Sequence, residues 1–267
     1  MKHEILEKLY ARYHHRKFVH PDPLEFLYDY PDIHERELVG LVASSLAYGR
    51  VAQILKSVGS ALKRMDYSPR SFLMESSPAQ IYRSFADFKH RFTTGKEMAS
   101  MLLGAKKIIR QYGSLYACFM SGLKVQAETV LPALSCFVEQ LGHASGEWKN
   151  SLLPCPWKGS ACKRYNLYLR WMVRKDTVDP GGWSGIPLSK LMVPLDTHMH
   201  RICLSLGITY RKQADMRTAT EITRAFRAWS PGDPVRYDFA LTRLGIRRDA
   251  DPKKFLEECV LNPPVPH

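Results

Sequence analysis

The sequence predicts an all-α fold, and three observations carry that expectation. Apolar residues recur at helical spacing in one segment after another. No window sustains the apolar/polar alternation of a half-buried strand. Glycines, prolines and capping residues fall where the helical segments start and stop. At 267 residues and 45% hydrophobic content, the chain can bury a full core, as one large domain or as two lobes.

In chain order, residues 4–15 read as an amphipathic helix ending in the basic cluster His14-His15-Arg16-Lys17, and His20-Pro21-Asp22-Pro23 reads as a rigid turn. Asp32 opens the next helix, where Leu38, Val39, Leu41, Val42, Ser45 and Leu46 keep the helical spacing until Gly49 stops it. Arg50–Met65 is a further helix with Val51, Ile54, Leu55, Val58 and Leu62 along one face. Shorter helical segments lie around Ser71–Met74 and Ala79–Ala86. Lys96–Tyr112 is long and stopped by Gly113, and Ser114–Met120 and Val130–Leu141 complete the run.

The stretch from Leu152 to Leu206 is the densest in signals. Pro154 and Pro156 block a helix, Lys158-Gly159 gives a bend, and Ser160 is a fair N-cap for a helix through Tyr165, Leu167, Tyr168, Trp171, Met172 and Val173. A turn that exposes backbone N–H groups beside a helix start is a geometry that holds phosphate. Lys163 sits in that positive end, where the helix dipole disfavours a cation by about 1 kcal/mol or less and pushes the amine toward its neutral, nucleophilic form. Pro194 then keeps the chain extended, Asp196 falls where a helix N-cap belongs, and Gly207 closes that helix. Beyond it, Thr218–Trp229 and Asp233–Leu244 are helical, the second with Asp233 as cap and Pro234 in first position; Pro252–Val260 and a proline-rich tail follow.

A formal net charge of +13 points to a polyanionic partner, most economically nucleic acid, although many soluble proteins are basic without binding it. No apolar run reaches membrane-spanning length and the Met1–Lys17 start is too polar for a signal peptide, so the expected address is cytoplasmic. Six scattered cysteines without a C-x-x-C form neither a disulfide framework nor a zinc site. His198 and His200 near Cys203 point to different helix faces, so no metal is expected there.

With those residues placed, LLPCPWKGSACKRYNLYLRW followed by VPLDTHMHRI resembles the helix-hairpin-helix DNA glycosylases, the superfamily of endonuclease III and the 8-oxoguanine glycosylases. The chain also looks like an uncharacterised bacterial family with RWMVRK and PLDTH signatures, a likeness that carries no settled function. The recognisable motifs cover roughly a fifth of the chain. Two departures stand out: the hairpin has one glycine, Gly159, with a longer approach to the lysine, and the gap from Lys163 to Asp196 is long, as in the archaeal 8-oxoguanine glycosylase branch.

The resemblance implies a two-lobed helical fold, with residues 34–175 as a helical-barrel lobe ending in the hairpin and lysine helix, and residues 1–33 plus 190–267 as the second lobe. It makes Lys163 the nucleophile and Asp196 its assisting carboxylate. It assigns DNA contacts to Lys158, Gly159, Ser160, Arg164, His198 and Arg201. Arg170, Arg174 and Lys175 are further phosphate contacts in this reading, Tyr48 or Arg50 fills the gap left by a flipped base, and Trp183 meets the base itself. Taken alone, a lysine is ordinarily a solvated surface charge, Asp is a favoured cap in any protein, and a loop tryptophan usually covers the core.

The iron–sulfur cluster of several endonuclease III relatives needs four close cysteines near the C-terminus; only Cys259 lies there, so no cofactor is expected. The implied function is a base-excision-repair glycosylase and AP lyase acting on an oxidised base such as 8-oxoguanine. The implied partner is duplex DNA with a damaged base, met by a monomer at the nucleoid. The rival reading is a helix-hairpin-helix protein that binds nucleic acid without catalysis. A third, removal of an alkylated or deaminated base, needs Asp196 but not the lysine.

Overall fold

The structure, a computed structural model, describes residues 2–146, 150–247, 250, 251, 255, 257 and 259, and among them the helical periodicity is realised as twelve named α-helices. In order they are α1 (Lys2–Tyr13), α2 (Ile33–Ser45), α3 (Val51–Arg64), α4 (Pro69–Glu75), α5 (Pro78–Ser84), α6 (Gly95–Tyr112), α7 (Leu115–Ser121), α8 (Leu131–Ser145), α9 (Lys163–Val173), α10 (Thr197–Ser205), α11 (Met216–Trp229) and α12 (Asp238–Ile246). Among the described residues the fold is all-α apart from one two-residue antiparallel pair, β1 (Lys89–His90) with β2 (Thr93–Thr94). Among the described residues no helix is long and apolar enough to cross a membrane. The expected helix over Pro252–Val260 and the tail fall outside the described residues, apart from Phe255, Glu257 and Cys259.

Local chemistry sets most helix ends. The Asp32 carboxylate accepts from the His34 and Glu35 N–H groups at the start of α2. Thr94 and Glu97 form a reciprocal capping box on α6, which stops at Gly113 with φ 87°. Two starts differ from the sequence expectation. α9 begins at Lys163, because Gly159 and Ser160 are tied to the start of α11: the Met216 N–H donates to the Gly159 carbonyl (3.0 Å) and Ser160 forms an isolated bridge with Asp215. α12 begins at Asp238, because Asp233 spends its carboxylate on Arg174 (Nε–Oδ2 3.0 Å) and caps no helix.

α2 is the central helix. It packs on α9, on α4 and on the 3-10 helix Pro23–Asp29. The α2–α9 approach is close at Gly40, where a Cβ would lie 3.1 Å from the Tyr168 ring; the Tyr168 hydroxyl donates to the Glu37 carbonyl (3.0 Å). The buried Glu37 carboxylate accepts the Leu115 and Tyr116 N–H groups at the start of α7, at 3.0 and 3.1 Å. α6 packs on α8, while α12 packs on α1 and α10.

A buried ionic chain joins α9, the loop after it and the start of α12. Arg170 binds Asp238 and Asp179 (Nε–Oδ1 3.2 Å). Arg174 binds Asp179 (2.8 Å), Asp176 (2.9 Å) and Asp233 (2.9 Å). Both arginines are therefore consumed inside the protein, which corrects their expected role as phosphate contacts.

Candidate active site

The start of α9 and the start of α10 meet. Lys163 is the first residue of α9 and Asp196 is the N-cap of α10, and Lys163 Nζ lies 3.2 Å from Asp196 Oδ2. Nζ also donates to the Ala47 carbonyl at 3.3 Å. The other carboxylate oxygen, Asp196 Oδ1, accepts the Met199 N–H at 2.8 Å. One oxygen thus holds the helix and the other holds the lysine. Burial works against the Asp196 charge, but the Lys163 ammonium and the Met199 N–H outweigh it and hold the carboxyl below its ordinary pKa. Both side chains stay partly accessible, at 30% and 27% of their surface.

They line a cavity of about 430 Å³, a size that accepts a small planar ligand. Its walls come from the Pro21–Pro23 turn, the Ala47–Gly49 segment with α3, one side of α9, the Pro194–His198 corner and α12. His198 lines it and lies directly against Gly245, where a Cβ would come within 2.4 Å of the imidazole. Asp238 and Trp171 line it too, each about 1% exposed. Burial pushes the Asp238 carboxyl up to about 6 despite its contact with the Arg170 guanidinium. Arg243 lines it as well and is anchored on Asp22 Oδ2 (2.6 Å) and the Phe18 carbonyl (3.0 Å).

The remaining sequence-predicted residues separate into two groups. Lys158 and Gly159 are exposed at the turn before α9, Ser160 is half-buried there, and Arg201 on α10 and Arg50 before α3 are exposed. Arg164 is not free for DNA: its guanidinium donates to the Ser45 carbonyl (2.9 Å) and to the Ser151 carbonyl, locking the α2 end to the hairpin approach. Trp183 is not in the cavity. It is 2% exposed and packs among Tyr116, Phe119 and Tyr168, because the Gly181–Trp183 backbone bonds the end of α9 and turns the indole into the core.

Tyr48 is pinned rather than free. Its hydroxyl donates to the His90 carbonyl (2.9 Å) and is hydrogen-bonded to Thr93 Oγ1 (2.6 Å). Its ring carries Phe92, stacked at 4.8 Å and 26° and 63% exposed. Arg91, in the left-handed region at φ 54°, lies against Gly49 at the cavity rim. The hairpin that presents Phe92, and the cavity residues Trp171, Asp238 and Arg243, are the parts that sequence reasoning missed. Two-residue strands are too short to show alternation, and an aspartate at a helix start reads as a cap.

The chain belongs to the family described as protein of unknown function (DUF2400), which matches residues 22–247. No curated protein and no solved structure shows significant similarity to it.

Proposed function

We propose that this chain is a DNA glycosylase with AP lyase activity of the helix-hairpin-helix type, which removes an oxidised base, with 8-oxoguanine the first candidate, from duplex DNA. The observation that carries the reading is the Lys163–Asp196 pair, 3.2 Å apart, at the wall of a cavity that accepts a planar ligand. A surface lysine needs no such arrangement. An amine beside a carboxylate in a recess suits attack on a sugar whose base has been flipped out.

In the proposed reaction Lys163 gives up its ammonium proton to water, and the neutral amine attacks C1′ while Asp196 stays ionised beside it. The N–C1′ bond forms as the C1′–base bond breaks; the base leaves with the bonding pair and takes up a proton. Opening of the sugar ring gives a protonated Schiff base, and loss of a C2′ proton expels the 3′ phosphate, nicking the strand. The Asp196 carboxylate, ionised and oriented by Met199, faces the positive charge that develops on the sugar. Lys158, Arg201 and Arg50 are exposed cations suited to phosphates, and the net charge of +13 favours a polyanion. We place the protein at the nucleoid, acting as a monomer.

The test is covalent trapping. Duplexes carrying 8-oxoguanine, an oxidised pyrimidine, uracil or a bare abasic site are incubated with the protein and borohydride. The expected result is an adduct on an oxidised base and on the abasic site that disappears in Lys163→Ala. A Lys163→Ala protein with full lesion cleavage overturns the reading. Salt-dependent binding without an adduct on any duplex makes the chain a binding module instead.

A further inference from the structure

The basic cluster at the end of α1 has no part in the proposed reaction. Arg12, Arg16 and Lys17 are exposed, and among the described residues none of them forms an ion pair. The carboxylates of the neighbouring segments are already taken: Glu7 by Arg236 (2.9 Å), Asp22 by Arg243 (2.6 Å), Glu25 by His20 (2.8 Å) and Asp176 by Arg174 (2.9 Å). The helix dipole favours Arg12 in the last turn of α1, but Arg16 and Lys17 lie beyond that helix, in the 3-10 turn Arg16–Phe18. Each cation rests on an aromatic ring: Arg12 on Tyr13 (5.0 Å), Arg16 on Tyr28 (3.6 Å) and Lys17 on Phe18 (5.0 Å). Tyr28 is itself fixed, since its hydroxyl donates to the Val178 carbonyl. A guanidinium held over a ring face keeps its N–H edge for a second partner and loses less freedom when that partner arrives.

The same segment is fastened to the cavity. Arg243, which lines it, donates to the Phe18 carbonyl (3.0 Å), the Val19 carbonyl (3.3 Å) and Asp22 (2.6 Å), and Pro21, Asp22 and Pro23 belong to the cavity wall. Lys17 stands four residues before Pro21, so their Cα atoms lie within about 14 Å, roughly four base-pair rises of a duplex. We propose that Arg12, Arg16 and Lys17 form a phosphate-binding ridge, separate from the Lys158–Ser160 turn, that grips the backbone of duplex DNA within about six base pairs of the nucleotide in the cavity. Unpaired cations in succession repel one another, and a run of phosphodiesters relieves all of them where a single anion relieves one. A membrane surface fits poorly: the apolar face of α1 (Leu6, Leu9 and Tyr13) is buried in the core and offers nothing to a bilayer. The inference rests on the duplex-DNA part of the reading above and not on the Lys163 chemistry.

The experiment measures binding to a duplex with one tetrahydrofuran abasic analogue, which sets the register, by fluorescence anisotropy at about 50–200 mM salt. The wild type is compared with the triple variant Arg12→Gln, Arg16→Gln, Lys17→Gln, and with a control, Arg83→Gln, Lys107→Gln, Arg110→Gln, that removes the same charge from exposed positions of α5 and α6. Circular dichroism checks folding. Each phosphate contact contributes about 0.9 to the slope of log affinity against log salt, so the ridge variant is expected to lose about 2 to 3 from that slope and the control less than about 1. Neutral methylphosphonates placed within about six base pairs of the analogue are expected to weaken the wild type and to leave the ridge variant unchanged. Equal slopes for wild type and ridge variant overturn the inference, and so does an equal fall in the control, which makes net charge the cause. A wild type indifferent to the methylphosphonates overturns it too, and that comparison needs no variant. Ridge-dependent binding seen on phosphatidylglycerol vesicles and not on duplexes makes the surface a membrane contact and overturns it likewise. A wild type that binds no duplex at all is a failure of the DNA reading itself, distinguishable from duplex binding and abasic-site trapping that persist without the ridge.

Discussion

Asp196 divides its two carboxylate oxygens between a helix and a lysine, and the division can be taken apart by mutation. Oδ1 caps α10 through the Met199 N–H, while Oδ2 meets Lys163. Asparagine caps helices as well as aspartate does but carries no charge. Asp196→Asn is therefore expected to melt within a few degrees of the wild type while adduct formation falls by about 100-fold, the usual scale for a missing charged partner in the reaction. Asp196→Ala loses the cap as well, at a cost of about 1 kcal/mol. Thermal melts beside trapping rates check both. If Asp196→Asn keeps full activity, the carboxylate is only a cap. At this scale the sequence was informative: a lysine in a first helical turn and an aspartate at an N-cap are local patterns. Their 3.2 Å contact is not local, since it depends on how α9 and α10 pack.

The β1–β2 hairpin shows what a very short element can do. His90 is buried, with Nδ1 on Ser57 Oγ (2.9 Å) and Nε2 on the Tyr48 carbonyl (3.1 Å), and Thr93 is bonded to Ser151 (2.9 Å). With its base anchored on three sides, the hairpin holds an exposed Phe92 against Tyr48 near the cavity mouth. Exposing an aromatic ring on a rigid support is unfavourable for the isolated protein and useful for wedging between base pairs. Phe92→Ala is expected to leave stability within about 0.5 kcal/mol, as exposed positions do. It should lower excision from a paired duplex about tenfold, one unstacked step being worth a few kcal/mol at most. Cleavage of a single-stranded abasic site should not change. Parallel assays on paired and single-stranded substrates check this; equal loss on both would remove the wedge. The sequence pointed to the Tyr48–Arg50 turn for this task, and the structure makes Tyr48 the support beneath Phe92. Helix periodicity finds helices; it is blind to a turn flanked by two residues on each side.

Across the whole molecule, the Asp238–Arg170–Asp179–Arg174 chain joins α9, the loop after it and the start of α12. Arg170 is 2% exposed, and its removal leaves the buried Asp238 carboxylate without its cation and Asp179 with Arg174 alone. Arg170→Ala is expected to destabilise the protein by about 3–5 kcal/mol, measured as a lower urea midpoint. A cost under about 1 kcal/mol would mean that water reaches the network. Sequence alone determined the all-α class, the start of α2 at Asp32, the stop of α6 at Gly113 and the cap at Asp196, because each depends on residues within about four positions of one another. Only the tertiary structure decided that Arg164, Arg170 and Arg174 are spent on internal partners, that Trp183 belongs to the core, and that Asp238 and Trp171 line the same recess as Lys163. The cause is range: a charge or an indole looks the same along the chain whether its partner is water, a distant carbonyl or a ligand, and packing between remote helices makes that choice.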